Sequence, residues 1–590
     1  LLLAAGGGLV WRRADAAPGG APAVPASAAG GVAGTDPAPA VRRLAVLPFE
    51  NLGRPEDAYV ADGVADEIRG KLAAVPGVQV IARGSSNAYR DAARAGKGPA
   101  EIAAELGVRY LLTGTVRSEP GRAGRPTRVR VAPELVEVVP GSTPVSRWAR
   151  SFDADLSDAF AVQADVAERV ADAMDAALGG SARTQLAAIP TRDAAAYDAY
   201  LRGRAVLAAN EDLDAIRRGL DLYTRAVTLD PTFAEAWAER GRAAALLYLR
   251  GTPSPALARE ARAAADRALA LAPDRAPGHH ALGDYYTSVA KDPARAVEAY
   301  AAARRLAPGD AEVLAALAYA EQDLGRADDG VRDFRAALAL DPRSAVMARR
   351  LTTSLLWTRR TAEARAVAER ALALAPANVA LRGARLMVEL SDGELAAARR
   401  LIAAVPRGPA RTDLLTFLST YWDLAWVPDD ADRRALLALG PDAFDGDRET
   451  WALVRAQLLT LHGDTAAARL FGDSAQRATA AELRATPDDA QRRVLNGLAL
   501  AYAGRADEAV REAERGMALT PAARNAYLGA YVQHQAARVY LLVGRPERAL
   551  DLLEPLLRMP YYLSPGWLRI DPTFTPLRDH PRFERLAAGG

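Results

Sequence analysis

The chain of 590 residues contains no cysteine, which excludes disulfide bonds, thiolate metal sites and cysteine nucleophiles. A chain without cysteine is compatible with either side of a membrane, so the compartment stays open. Lysine is nearly absent as well and occurs only at Lys71, Lys97 and Lys291. Because the formal net charge is only +2, the composition argues against a surface that tracks nucleic-acid phosphates.

Familiar catalytic motifs are missing too. Gly70-Lys71 has neither the upstream glycine nor the following Ser or Thr of a phosphate loop, and no kinase catalytic-loop pattern or GxSxG elbow occurs. The adjacent His279 and His280 point two ways, which favours a surface or groove position over a metal site. The run Asp442–Asp447 resembles a calcium loop but has an aromatic residue where an oxygen ligand is needed. We therefore expect no catalytic residue, no cofactor, no metal and no enzyme in this chain.

The amino-terminal stretch is apolar. Leu1–Trp11 is uncharged and runs into Arg12-Arg13. Eleven residues cover only about half of a bilayer core, so residues 1–13 are interpreted as the end of a truncated transmembrane helix, with a truncated signal-peptide core as the alternative. The two arginines weakly favour a cytoplasmic position for the residues after them. Residues 14–42, rich in Ala, Pro and Gly, are predicted to be a disordered linker.

Residues 43–180 have the periodicities of a small α/β domain. Short apolar runs predict strands, and amphipathic stretches predict helices, in the order βαβαβββα. The predicted strands are residues 44–49, 78–82, 110–116, 128–139 and 144–152, and the predicted helices are residues 62–75, 99–106 and 157–178.

Beyond residue 190 the sequence repeats itself. The unit Ala311–Pro342 contains two short amphipathic helices separated by a turn at Gly325, with small residues where the helices would touch. The prolines that close successive units recur at steps of 42, 35, 34 and 34 residues, a spacing typical of two-helix repeats. These prolines are Pro231, Pro273, Pro308, Pro342 and Pro376.

The pattern of large and small residues resembles tetratricopeptide (TPR) repeats and predicts an all-α superhelical solenoid. We expect a TPR array over residues 190–376 and divergent helical repeats over residues 377–489, where tryptophans fall out of period. Further TPR units are expected over residues 490–560, followed by an irregular, proline-rich cap over residues 561–590.

In TPR proteins the first helix of each unit lines a concave groove. The positions expected to face it are polar, carry charges of both signs and include one aromatic residue, which suits a protein or peptide partner. A solvated inner face without a dedicated ligand is the alternative. The candidate groove residues are Glu235, Arg242, His280, Asp284, Glu312, Tyr319 and Arg349.

The α/β region resembles the TolB-like amino-terminal domain of bacterial signalling proteins. Five motifs occur in the order seen in that family: LAVLPFENLG, YVADGVADEI, VIARGSS, ELGVRYLLTGTVR and FDADLSDAFAVQADVAERVA. The resemblance implies a single transmembrane helix before the domain and TPR repeats after it. It also implies a single-pass protein of the inner membrane, with the residues of this chain in the periplasm. A further implication is an upstream Ser/Thr kinase, nucleotide cyclase or winged-helix domain.

Two functions from different classes are consistent with these features. The first is a membrane-tethered sensor or scaffold that binds a protein or peptide through the TPR groove without catalysis in this chain. The alternative is the regulatory carboxy-terminal part of a transmembrane Ser/Thr kinase, or of a cyclase or winged-helix regulator. A third possibility is that the TolB-like domain itself oligomerises or binds a small ligand.

Overall fold

The computed structural model describes residues 41–90, 96–119, 128–155, 158–176, 183, 186, 189–209 and 212–589. The predicted transmembrane helix at residues 1–13 and nearly all of the predicted linker lie outside these residues. The described residues form two compact units. The first unit comprises the residues up to Ala320 together with Arg332–Met347, and the second comprises Glu321–Val331 and the residues from Ala348 onward.

The first unit opens with a small α/β region that contains seven strands. Its elements are β1 (Arg42–Val46), β2 (Glu50–Asn51), a 3-10 helix (Pro55–Asp57), α1 (Ala58–Ala73), β3 (Val78–Ile81), α2 (Arg83–Asn87), α3 (Pro99–Leu106), β4 (Tyr110–Glu119), β5 (Arg128–Glu137), β6 (Val145–Ala149), β7 (Phe152–Asp155) and α4 (Ala159–Ala173).

The strands form one mixed sheet in the order β3-β1-β4-β5-β6, with β2 beside β4 and β7 beside β5. β1 pairs in parallel with β3 and β4, whereas β4 and β5 pair in antiparallel register from Tyr110–Glu137 to Glu119–Arg128. The predicted α/β character is therefore confirmed. The structure adds β2 and divides the last predicted strand into β6 and β7, because the chain leaves the ladder at Arg150 and Ser151.

Both faces of the sheet are covered, as expected where parallel strands are buried. Alternate residues of β1 point to opposite sides. Leu44 and Val46 belong to a core that includes α1 and α4, and Ala45 and Leu47 belong to a second core that includes α3. The first core continues without interruption into the helical repeats, since it also contains Tyr223.

The rest of the chain is a helical, TPR-like solenoid. Its helices are α5 (Ala194–Ala209), α6 (Leu213–Leu229), α7 (Ala234–Arg250), α8 (Pro255–Leu271), α9 (Ala276–Tyr285), α10 (Pro293–Leu306), α11 (Ala311–Asp323), α12 (Ala327–Leu340), α13 (Ala345–Trp357), α14 (Thr361–Leu374), α15 (Val379–Asp392), α16 (Leu395–Ala403), α17 (Pro409–Trp422), α18 (Asp430–Ala438), α19 (Arg448–Leu461), α20 (Thr465–Ala485), α21 (Ala490–Tyr502), α22 (Ala506–Leu519), α23 (Ala526–Leu542), α24 (Pro546–Arg558), α25 (Pro565–Ile570) and α26 (Pro581–Ala588).

The helix starts reproduce the sequence repeat. The first helices of successive pairs begin at Ala234, Ala276, Ala311, Ala345 and Val379, in steps of 42, 35, 34 and 34 residues. Within the described residues no helix is both long enough and apolar enough to span a bilayer.

Small residues allow the helices of a pair to approach closely. A Cβ atom added at Gly241 would lie 3.2 Å from the carbonyl oxygen of Ala261 and 3.2 Å from the nitrogen of Ala265. At Gly497 the same contacts are made with Ala509 and Ala513. Close packing of this kind leaves little room for an extra methyl group.

The predicted irregular cap at residues 561–590 is largely helical. It contains α25, a 3-10 helix (Pro572–Leu577) and α26. Each of these elements has a proline at its first turn, where the missing N–H group has no intrahelical partner to lose. Pro565, Pro572 and Pro581 therefore mark helix starts, whereas Pro576 lies inside the 3-10 helix.

We predict that Gly472→Ala destabilises the protein by about 1–3 kcal/mol, since the new methyl group overpacks a helix contact. A Cβ atom at Gly472 would lie 2.6 Å from the backbone nitrogen of Ala503 and 2.9 Å from the carbonyl oxygen of Ala499. The measurement is the midpoint of urea unfolding. The control is Gly70→Ala on α1, where no atom lies within 4 Å and the substitution should be neutral or stabilising by up to about 1 kcal/mol. Equal effects of the two substitutions would contradict the packing account.

Candidate functional site: the inner helices of the repeats

Three of the predicted groove residues meet in one charge cluster in the first unit. Arg242 on α7 donates from Nε to Asp284 Oδ2 on α9 at 3.0 Å and from Nη2 to Glu312 Oε2 on α11 at 3.2 Å. It also pairs with Glu239 at 3.1 Å. Arg242 lowers the pKa of Glu312. The guanidinium thus joins three successive inner helices. Its Nε, Nη1 and Nη2 atoms each already donate to a carboxylate.

The other candidates have structural contacts. The buried Glu235 pairs with Arg275, and burial raises the pKa of the Glu235 carboxyl. His280 is buried, lies 3.7 Å from Asp284 and stacks edge-on against Tyr300. Tyr319 packs edge-on against Phe334, with ring centroids 5.1 Å apart. Arg349 is half-buried on α13 and belongs to the second unit. The use of these residues by a partner stays a prediction.

The α/β region contacts the turns that precede the inner helices of the first unit. The amide of Ala82 donates to the carbonyl of Leu340 at 2.7 Å, and the amide of Gly309 donates to the carbonyl of Ala73 at 3.3 Å. Ser85 donates from its amide and its hydroxyl to Asp341 Oδ1, at 3.0 and 2.5 Å. Sequence periodicity could not reveal this arrangement, because these residues lie more than 200 positions apart.

Ion pairs also connect the α/β region to α5. The buried Asp66 on α1 pairs with Arg69 and Arg83, and it lies 3.6 Å from Arg204 on α5. Burial disfavours the Asp66 carboxylate, but the three arginines outweigh that effect and hold its pKa below the usual value. Lys71 is also buried and donates to the carbonyl of Leu186 at 2.7 Å, and burial lowers the pKa of its amine to about 8. Lys71 is therefore held by a backbone carbonyl, whereas the neighbouring Gly70 is exposed.

The second unit has a cleft on its inner helices that sequence reasoning missed. About 540 Å³ of space, open solvent included, lies between its walls. Four successive inner helices supply its walls: α17, α19, α21 and α23. The lining residues are Ser419, Thr420, Tyr421, Asp423, Thr450, Leu453, Val454, Gln457, Gln491, Leu495, Leu498, Tyr502, Tyr531 and Arg538. On α19 and α21 they recur every three or four residues, which places them on one face of each helix.

An aromatic cluster lies against α23. The buried His534 makes hydrogen bonds through Nδ1 with the hydroxyl groups of Tyr561 and Tyr562, each at 3.2 Å, and stacks on Phe574. Burial, aided by the nearby Arg538, lowers the pKa of His534 to about 3. The imidazole is therefore neutral, and the carboxy-terminal segment is held against the inner helix by tyrosine hydroxyl groups and ring contacts.

Among the described residues no group of three or more His, Cys, Asp or Glu side chains is arranged to hold a metal ion. The run Asp442–Asp447 overlaps a 3-10 helix (Pro441–Phe444), and Phe444 is buried.

Comparison with known proteins gives one informative relative. No protein-family model matches the chain, so the TolB-like resemblance stays a prediction. A curated protein of Rhizobium meliloti (strain 1021) named "Putative adenylate cyclase 3" is 36% identical over 203 residues, which are 34% of this chain and 32% of that protein. The chain spans about a third of the length of this relative.

Solved structures of TPR proteins are also similar. A thermophilic TPR protein of Thermus thermophilus is 22% identical, with a TM-score of 0.28, over 33% of this chain and 100% of that protein. YrrB, described as a TPR protein with an unusual peptide-binding site, is 18% identical, with a TM-score of 0.23, over 32% of this chain and 89% of its own. Scores this low carry no argument by themselves, and the TPR-like assignment rests on the helix pairs and their spacing.

The expectation that the chain is not an enzyme is wrong as stated. Its sequence is shared in part with a protein named for adenylate cyclase activity. That expectation depended on the absence of a phosphate loop, of kinase motifs and of a GxSxG elbow. Their absence excludes those three kinds of catalytic site and does not exclude a cyclase.

Glu449 predicts a pH dependence of stability. It lies in the first turn of α19, is 8% exposed, and its Oε1 has no hydrogen-bond partner. Burial, with a smaller contribution from Asp447, raises its pKa from 4.5 to about 7. Because the folded chain holds this proton more tightly than the unfolded chain, stability should fall as the pH rises from about 4.5 to about 7.

We therefore predict that Glu449→Gln is about 3 kcal/mol more stable than the parent at pH 8 and nearly equal to it at pH 5. The measurement is urea unfolding at both pH values. The matched control is Glu482→Gln, whose side chain is 58% exposed and which should change little at either pH. If Glu449→Gln gained as much stability at pH 5 as at pH 8, the pKa of the Glu449 carboxyl would not be raised, which would contradict the prediction.

Proposed function

We propose that this chain acts in a nucleotide cyclase signalling protein and that its helical repeats bind a protein or peptide partner that alters cyclase output. The observation that carries the proposal is the 36% identity with a protein named as an adenylate cyclase over 203 residues. Among the effectors that the TolB-like resemblance implies, a kinase or a winged-helix domain has no comparable support.

Partner binding is supported by the architecture of the chain. TPR-like solenoids present the first helix of each pair on an extended inner surface, which suits long partners. In the first unit the turns before these helices contact the α/β region, and Arg242 is engaged with Asp284 and Glu312. In the second unit the inner helices line a cleft that opens to solvent. The second unit is therefore the better candidate surface for a partner.

A membrane-tethered, periplasmic position is retained as part of the proposal. It depends on the apolar run Leu1–Trp11 and on the TolB-like motifs, and Leu1–Trp11 lies outside the described residues. Such a layout would place partner binding on one side of a membrane and cyclase output on the other.

The proposal is tested by a chimera. The matched segment of the Rhizobium protein is deleted, or replaced by the corresponding segment of this chain, and cyclic AMP is measured in a cyclase-deficient strain. We expect deletion to change the output about tenfold and replacement to restore it to within about threefold, since a change of about 1.4 kcal/mol in a coupling equilibrium is tenfold. An output that is unaltered by deletion would contradict a role of this segment in the cyclase.

A further inference from the structure

The cleft of the second unit has an apolar floor and a charged end. Leu453, Val454, Leu495 and Leu498 of α19 and α21 supply the apolar side chains. Tyr421, Tyr502 and Tyr531 add aromatic rings. The remaining lining side chains are polar, so the cleft combines apolar and polar groups, as ligand sites do.

Asp423 is placed at this end by the backbone. It follows the last residue of α17 and adopts a left-handed conformation, with φ of 55°. A residue other than glycine in this region is uncommon, although Asp and Asn tolerate it better than most. The Asp423 side chain is part of the lining of the cleft at this helix end.

Two buried side chains of α23 contact the carboxylate of Asp423 on the side away from solvent. Gln535 donates from Nε2 to Asp423 Oδ2 at 2.9 Å, and Nη1 of Arg538 lies 3.7 Å from Asp423 Oδ1. Arg538 also donates from Nη1 to Gln535 Oε1 at 2.7 Å. The side chain of Asp423 is 29% exposed, whereas that of Arg538 is 7% exposed. A ligand entering the cleft thus meets the carboxylate before the guanidinium.

The carboxylate of Asp423 is the more exposed of the two charged side chains that line the cleft. Burial raises the pKa of Asp423, and Asp571 contributes in the same direction, although Arg538 and two hydrogen bonds oppose them. The charged residues of the lining are Asp423 and Arg538, and the faces of the tyrosine rings beside them attract cations as well.

We propose that the Asp423 cleft takes a basic side chain, Arg or Lys, of a protein partner. The aliphatic stem lies on the leucines and valine of the floor, and the cationic head bonds to Asp423 beside the tyrosine rings. This inference rests on the proposed partner binding by the repeats and names the chemistry that the partner presents. An anionic ligand is disfavoured, because Arg538 is buried behind Asp423.

The test uses the native chain and two amides of equal shape. N-acetyl-arginine amide carries a guanidinium, and N-acetyl-citrulline amide is its uncharged isostere. Binding to the purified chain is followed by isothermal titration calorimetry and by saturation-transfer NMR. We expect the arginine amide to bind about tenfold or more tightly than the citrulline amide. Equal binding of the two, or binding of neither, would overturn the proposal without any variant being needed.

A pair of variants then locates the site. Asp423→Asn keeps a residue type that tolerates the left-handed backbone and removes the charge, so binding of the arginine amide should fall about tenfold. The control is Asp488→Asn, whose side chain is 76% exposed and which should leave binding unchanged. Unchanged binding in Asp423→Asn would overturn the assignment. These results are independent of the chimera, whose unaltered cyclic AMP output would contradict the cyclase proposal alone.

Discussion

The close approach of helices at small residues is the contact on which the solenoid depends. A two-helix repeat has too little surface to bury its own apolar face, so stability comes from stacking each pair on the next. Gly241 against Ala261 and Ala265, and Gly497 against Ala509 and Ala513, set the helix separation in the two units. Where Tyr300 packs against Gly283, the glycine makes room for a ring instead of a backbone. The shape of the solenoid is thereby fixed by glycine and alanine residues, which have no reactive side chain.

The need to bury apolar surface also explains why other segments of the chain lie against the repeats. In the first unit one apolar core runs from the sheet into the first helices, and the α/β region adds backbone hydrogen bonds at Leu340 and Gly309. In the second unit the tyrosines and Phe574 of the carboxy-terminal segment pack on α23 around a neutral His534. In each unit a segment from elsewhere in the chain thus covers part of the repeats and stabilises them. The Asp423 cleft differs, since it is lined by the inner helices and opens to solvent.

The sequence predicted the features that depend on local periodicity and missed those that depend on distant contacts. The 34-residue spacing of prolines indicated the helix pairs, and alternating apolar residues indicated the main strands of the sheet. The two-residue strand β2 was too short for any periodic signal, and the break at Arg150 and Ser151 lies inside an otherwise regular strand pattern. The cleft could not be found, because Asp423 and Arg538 are far apart in the sequence and the first lies in a stretch without regular repeats.

The central claim is that the α/β region and the repeats of the first unit fold as one body. Amide hydrogen exchange of the native chain, read by mass spectrometry on peptides that contain Ala82 and Gly309, tests it most directly. Both amides donate across the contact between the α/β region and the repeats. The account predicts that they exchange as slowly as the core strand Arg42–Val46. Exchange as fast as that of the exposed turn residue Gly141 would contradict it.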